Sequence, residues 1–271
     1  MNHELSETAV AAALTTRWLG HMYQYLPQTY STNDLLKEKL DHLSRPPLPE
    51  GAVVLADYQS QGRGRLNRRW AAPPRTSLLF SVFLRPRWLP WQQNWLTMLA
   101  GVAVAEVIEA KTGLTTGLKW PNDVMALHEG QWRKVSGLLL EGIWTAAPSQ
   151  DVILGIGINV NIPPDQLPQT ITPPISLLAA MGKPVPRLDL LLDLLRRLED
   201  GYGRAQQGYS PQPTWRQRLI TLGQPVQVTK IGSGQIIIGF AEDVDDWGQL
   251  LVRDKSGILH TILAGDVTLR G

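Results

Sequence analysis

Cysteine is missing from this 271-residue chain. That absence excludes a disulfide framework, a thiolate zinc site and a thiol nucleophile, and it is compatible with a reducing compartment. Long apolar runs are missing too. No stretch approaches the roughly 18 consecutive apolar residues of a membrane span. The opening MNHELSETAVAAALTTRWLG has neither the positive start nor the long apolar centre of a secretory signal. The expectation is a cytoplasmic protein. Strong charge of either sign is also absent: 26 basic and 24 acidic residues leave a net charge of +2, too little for a protein that grips nucleic acid over its whole surface. Four arginines nevertheless crowd into YQSQGRGRLNRRW (Tyr58–Trp70), so the basic cluster is local and needs a local explanation.

What is present is ordinary globular composition, 43% hydrophobic, and length enough for a full core plus a small second domain. Residues 1–28 read as a weakly specified lead segment with room for one helix. STNDLLKEKLDHL carries a helix start at Ser31 and Thr32, with Asp34 placed as in a capping box. Leu35, Leu36 and Leu40 follow at helical spacing, and RPPLPEG ends the helix. AVVLADY (52–58) and SLLFSVFLRP (77–86) are apolar runs of strand length. Trp95, Leu99, Val102 and Ile108 mark a helix over 92–112 that stops at Gly113. GLKW, KVSGLLLEGIW (134–144) and DVILGIGINV (151–160) add three strands, the last two joined by a polar loop. After proline-rich NIPPDQLPQTITPPISLL comes an amphipathic helix with Leu188, Leu191, Leu192, Leu195 and Leu198 on its stripe. PTWRQRLITLG is a last short helix. Near Gly223 the pattern changes to closely spaced short strands with turns at Ser233-Gly234, Trp247-Gly248 and Ser256-Gly257, the pattern of a small β-barrel. The expected fold class is α+β: a lead segment over 1–28, a mixed-sheet domain over 29–221 and a small barrel over 222–271.

Four further stretches bear on chemistry. In the arginine loop, Gly62 and Gly64 allow close approach of main-chain N–H groups to a ligand, and arginine offers a donor fork that matches carboxylate or phosphate. A solvated basic loop explains the same residues equally well. In KWPND, Lys119, Asn122 and Asp123 sit at a strand end, where α/β proteins place polar ligand contacts; an ordinary Pro-Asn-Asp turn is the bland alternative. Lys134 opens KVSGLLLE, either as a cation aimed into a site or as a surface lysine. In GIGINV, Gly155 and Gly157 imply close approach by another backbone or a ligand, or a strand thinned for packing, and Asn159 could bond a ribose or phosphate.

Together with S-T-N, these make five ordered stations: S-T-N, Q-x-x-G-R-G-R, K-W-P-N-D, K-x-x-G-x-L-x-E and G-x-G-I-N. From about Tyr30 to Arg270, including the terminal GDVTLR, the chain resembles the biotin protein ligase family, in its monofunctional form without an N-terminal DNA-binding domain. The resemblance implies a biotin/lipoate ligase-like catalytic domain followed by an SH3-like barrel. It implies activation of biotin by ATP with Mg²⁺ to biotinyl-5′-AMP, and transfer to a lysine of a biotin carboxyl carrier protein. It places Ser31, Thr32 and Asn33 at the biotin pocket and Gln59 against biotin and adenylate. Gly62, Arg63, Gly64 and Arg65 match the loop that closes over them, and Trp70 ends that motif. Lys119, Asn122 and Asp123 match the phosphate side, Asp123 being the candidate magnesium ligand. Lys134 and Gly137 belong to the fourth station, Lys134 matching the lysine that contacts both biotin carboxylate and α-phosphate. Asn159 matches the nucleotide side. The resemblance assigns catalysis to Lys134, Arg63 and Asp123. One departure is Leu66-Asn67 in place of a frequent Arg-Gly pair, where Asn67 is expected to tolerate a positive φ. Only about 30 residues precede Ser31, too few for a winged helix-turn-helix, so no DNA binding is expected. Monomer and homodimer both stay open. The competing readings are a lipoate-type ligase on the same fold, a silent biotin-binding scaffold, and a nucleic-acid module using Arg63–Arg69.

Overall fold

The computed structural model describes residues 4–41, 48–143, 150–232 and 234–269. Residues 45–47 of the helix-ending segment, Trp144, the polar loop 145–149, Ser233 and Arg270 lie outside them. The elements run α1 (Glu7–Ala13), β1 (Tyr23–Leu26), α2 (Thr32–Asp41), β2 (Val53–Ala56), β3 (Ser77–Leu84), α3 (Asn94–Thr112), β4 (Thr116–Lys119), β5 (Asp123–His128), β6 (Gln131–Gly142) and β7 (Val152–Asn159). After these come α4 (Leu177–Met181), α5 (Arg187–Gln206) and α6 (Gln212–Gln217), and then β8 (Pro225–Lys230), β9 (Ile236–Val244), β10 (Leu250–Asp254), β11 (Leu259–Ile262) and β12 (Gly265–Leu269).

The first seven strands form one sheet in the order β1-β2-β3-β7-β6-β5-β4. β1 runs parallel to β2 and every other pair is antiparallel. β2 and β3 are buried at every position, which is why both read as continuous apolar runs rather than as alternating ones. Alternate residues then serve two cores. Val53, Leu55, Phe80 and Val82 join the cluster that holds α3 and α5. Val54, Phe83 and Ile153 join the cluster under Leu36 of α2. The α5 stripe is wider than its spacing suggested: Leu190 and Leu194 are buried, whereas Leu188 and Leu192 are half-buried.

The lead segment is better specified than its composition implies. It supplies α1 and also the edge strand β1, and Leu5, Val10 and Leu19 are buried. Two ionic anchors hold it. Buried Glu199 accepts hydrogen bonds from the backbone N–H groups of Arg17, Trp18 and Leu19. Arg187 joins Glu4 at 2.7 Å to Asp57 at 2.8 Å. The second sheet, β11-β10-β9-β8-β12, is antiparallel throughout and is consistent with an SH3-like barrel. It packs on the first through Trp120 Nε1, which donates to Gly248 O at 2.9 Å, and through Arg216 and Asp243. Among the described residues no helix is long and apolar enough to cross a membrane.

Candidate functional site

A cavity of about 680 Å³ opens on the α2 side of the sheet, and every expected site residue except Gly62 lines it. Local backbone rules explain how each group gets there. Ser31 Oγ accepts from Asp34 N at 3.3 Å, so the expected cap starts α2. That fixes Thr32 and Asn33 against the sheet. Thr32 N donates to Gln59 Oε1 at 2.7 Å, and Thr32 Oγ1 meets Ser81 Oγ at 2.7 Å. Asn33 accepts from Ser81 Oγ at 2.5 Å and donates to Glu141 at 2.7 Å.

Three glycines make the floor. Gly137 of β6 and Gly157 of β7 are cross-strand neighbours, as are Leu139 and Gly155. A Cβ at Gly157 would stand 2.7 Å from the Trp70 indole, and one at Gly137 would stand 2.8 Å from it. A Cβ at Gly155 would overlap Oδ1 of Asn33. The close approach expected at Gly155 and Gly157 is real, but side chains make it: neither a backbone nor a ligand is needed, because Asn33 and Trp70 rest on the bare strand.

Lys134 reaches the cavity through an irregularity. β6 pairs Ser136 with Val124 and then Lys134 with Met125, leaving Val135 as an extra residue. This bulge breaks the two-residue alternation and brings Lys134 onto the face of Gly137, a known way to re-aim a side chain. Its Nζ lies 2.6 Å from Asp123 Oδ1 and 5.5 Å from the Trp70 ring centre. Lys119 Nζ donates to Thr172 Oγ1 at 2.9 Å, and burial pushes its ammonium below the usual lysine value, with Lys134 and Arg68 adding to the effect and Asp123 and Asp266 opposing it. Burial also lowers the Arg65 guanidinium. Asn122 is spent on the wall, donating to Leu138 O and accepting from Arg65 Nη1 at 3.3 Å. Asn159 donates to Ile175 O at 3.2 Å.

The arginine loop folds over this floor. Trp70 N donates to Gly62 O at 2.9 Å and Gly64 N to Arg68 O at 2.7 Å. A Cβ at Gly62 would meet Trp70 O at 2.5 Å, so Gly62 shapes the loop neck rather than the cavity wall. Leu66, exposed at the tip, is the residue in the left-handed region (φ 57°), a position expected of Asn67. Arg63 binds Asp34 at 2.5 Å and Glu141 at 2.8 Å. Arg63 Nε and Trp70 Nε1 are buried donors without a partner among the described residues.

Sequence reasoning gave no role of its own to Glu141, the last residue of K-x-x-G-x-L-x-E, or to Asp266 of GDVTLR, and none to Ser81 or the 168–174 stretch. Glu141 was within reach, since the strand period of two from Gly137 through Leu139 puts it on the same face. Burial alone would raise its carboxyl; hydrogen bonds from Lys37 and Asn33 and the charges of Lys37 and Arg63 outweigh that and hold it below the usual carboxylate range. Its stabilising effect is therefore present above the unfolded glutamate value of about 4.3 and is lost as pH falls through the lower folded value. Thermal denaturation of wild type and Glu141→Gln should differ most near neutral pH, and the difference should shrink as pH falls through the lowered folded value. Arg68 pairs with Asp266, and β12 residues Asp266, Val267 and Thr268 line the cavity, so the barrel forms part of the site.

Residues 25–159 match the model of the biotin/lipoate A/B protein ligase family, and residues 221–270 match the biotin protein ligase C terminal domain. A biotin--[acetyl-CoA-carboxylase] ligase of Mycobacterium tuberculosis is 37% identical over 227 residues, covering 80% of this chain and 79% of the relative. The chain belongs to the biotin/lipoate A/B protein ligase family. The bifunctional ligase/repressor BirA of Bacillus subtilis is 32% identical over 270 residues, spanning 98% of this chain and 79% of the relative. Among solved structures, the biotin protein ligase of Aquifex aeolicus in complex with biotin and ATP superposes with a TM-score of 0.74 at 29% identity, covering 92% of this chain and 99% of that one. The cavity is thus the candidate active site of a ligase of this family. Its floor, cations and loop all come from the segment matched by the first model, and its far wall comes from the segment matched by the second.

Proposed function

We propose that this chain activates biotin with ATP to biotinyl-5′-AMP and transfers the biotinyl group to a lysine of a biotin carboxyl carrier protein. The observation that carries this reading is one cavity in which Lys134, Lys119, Arg63 and Arg65 gather at the rim of an apolar, glycine-floored slot. The slot suits an apolar acyl chain, and the cations suit two anions brought together. In the first step a biotin carboxylate oxygen attacks the α-phosphorus and pyrophosphate leaves. Lys134 and Arg63 offset the repulsion between carboxylate and phosphate and the charge that develops. Both are already held by internal carboxylates, Lys134 by Asp123 and Arg63 by Asp34 and Glu141. Ligand anions therefore meet oriented cations rather than flexible ones. Trp70 and the loop above it exclude water from the mixed anhydride.

Mg²⁺ bound with nucleotide phosphates needs only one or two protein carboxylates. Among the described residues no group of three or more His, Asp or Glu side chains is placed to hold a metal ion, and Asp123, beside Lys119 and Lys134, is the group that would hold one together with nucleotide phosphates. Once bound, magnesium supplies further charge neutralisation at the phosphates. We place the barrel over 222–271 and the catalytic unit before it, widened from 29–221 to take in β1, which pairs with β2 in the same sheet, and a cytoplasmic setting is part of the same reading. The loop arginines argue against a nucleic-acid role: Arg63, Arg65, Arg68 and Arg69 each have a protein partner, which leaves no row of free cations to track a phosphate backbone.

Incubation with biotin, ATP, magnesium and a biotin carrier domain should add the mass of one biotinyl group to the carrier. An unmodified carrier, beside an active control ligase, overturns the reading. Lipoate offered in competition should leave biotin-dependent pyrophosphate release unchanged; strong inhibition would favour the lipoate-type alternative.

A further inference from the structure

A second cavity of about 260 Å³ adjoins the first. The N-terminal turns of α3, the last residues of β6 and two turns of the barrel wall it, and it shares Arg65, Trp120, Pro121, Asn122 and Leu138 with the first. Arg65 and Asn122 form a partition between the two. Arg65 Nη1 donates to Asn122 Oδ1 at 3.3 Å and Nη2 to Gly265 O at 3.4 Å. Both contacts lie at the long end of hydrogen-bond distances, so they hold the guanidinium less firmly than the short ion pair holds Arg63. On the outer side, Asn94 lines the cavity and donates to Trp247 O at 3.3 Å. Trp247 stacks edge-on with Trp91 at 6.3 Å. Trp91 is 55% exposed and Leu263, on the cavity wall, is 71% exposed. Exposed tryptophans around an opening have the make-up of interface anchors.

We infer that this second cavity is the channel through which the carrier protein's lysine reaches the adenylate, with the carrier seated on the Trp91–Trp247 rim. The inference rests on the ligase reading above and adds the route and the docking surface. In the transfer step the lone pair of a neutral lysine Nζ attacks the acyl carbon of biotinyl-5′-AMP. The C–N bond forms, the bond from the acyl carbon to the phosphate oxygen breaks, and AMP leaves with that electron pair. The nitrogen gives up one proton to water. Three features suit the channel to this step. Its walls include Met98, Leu140 and Trp215, which match the four-carbon stem of a lysine. It ends at Arg65, beyond which lie Lys119 and Lys134, and like charge disfavours the protonated amine, which cannot attack. Only the Arg65 side chain has to move, so the backbone of the arginine loop can stay closed over the anhydride while the amine arrives.

The test uses the full chain loaded with biotinyl-5′-AMP from biotin and ATP, pyrophosphatase to remove pyrophosphate, and a saturating carrier domain in a single turnover. Thr97→Phe on α3 and Ala264→Phe on the barrel obstruct the channel from opposite walls, and Ala264 is exposed, so the second variant leaves the fold intact. Both should form adenylate within twofold of wild type and transfer it at least tenfold more slowly. Trp91→Ala should raise the carrier KM and leave saturated transfer unchanged. Unimpaired transfer at saturating carrier by Ala264→Phe overturns the channel. So does an equal loss in adenylate formation, which would give the cavity to the nucleotide. A wild type that forms no adenylate overturns the underlying ligase reading instead.

Discussion

Lys134→Ala is expected to slow biotinyl-5′-AMP formation by about 10²–10³-fold, the usual cost of removing one oriented donor from a developing charge. The measurement is biotin-dependent pyrophosphate release under saturating biotin and ATP. The size follows from the position of the ammonium. It sits 2.6 Å from Asp123 and above the indole of Trp70, three-quarters buried, where a positive charge acts more strongly than it would in water. Lys134→Arg should not restore the rate, because a planar fork cannot occupy the space of a point charge wedged between Gly137 and Trp70. Asp123→Asn separates two roles. If Asp123 only orients Lys134, the loss is modest and independent of magnesium. If it also holds the ion, the ATP KM becomes steeply magnesium-dependent. A wild-type rate for Lys134→Ala would remove it from the chemistry.

The arrangement around Lys134 shows where the sequence could be read and where it could not. The strands were legible because β2, β3 and β7 are buried on both faces and therefore carry unbroken apolar runs. The α2 cap was legible because Ser-Thr-Asn-Asp is a local signal that tertiary contacts left intact. β1 was not: four half-buried residues in a parallel edge pair carry neither alternation nor an apolar run. The bulge at Val135 was not legible either, since it depends on register with β5. Alternation alone would have turned Lys134 away from Gly137. The partner of Arg68, Asp266, lies 198 residues away, and only the docking of the barrel brings it to the loop. Motif order named the groups of the site. It could not say that most of them are already bonded to one another, which is what orients them.

Gly157→Ala and Gly155→Ala test that mutual support, and they are expected to fail in different ways although the two glycines are two residues apart on one strand. At Gly157 the added methyl would stand 2.7 Å from the Trp70 indole. Trp70 belongs to the loop, its Nε1 has no partner among the described residues, and open cavity lies beside it, so the ring can tilt. Over-packing of about 1–3 kcal/mol then falls on the closed loop rather than on the fold. Charged to ligand binding, that energy is about a 5- to 150-fold rise in the KM for biotin, with the melting temperature nearly unchanged. At Gly155 the methyl would overlap Asn33 Oδ1, and Asn33 is fixed by Ser81 on one side and Glu141 on the other. It has nowhere to move without breaking a buried hydrogen bond. The cost there should appear in folding, as a fall in melting temperature of about 2–4 °C per kcal/mol for a chain of this size, together with loss of biotin binding. Gly142→Ala is the control: among the described residues, its chain neighbours aside, no atom lies within 4 Å of its added methyl, so neither quantity should change. Calorimetry and biotin titration of the three variants decide the matter. A lowered melting temperature for Gly157→Ala with an unchanged biotin KM would mean that Trp70 is a fixed part of the core and not the underside of a moving loop.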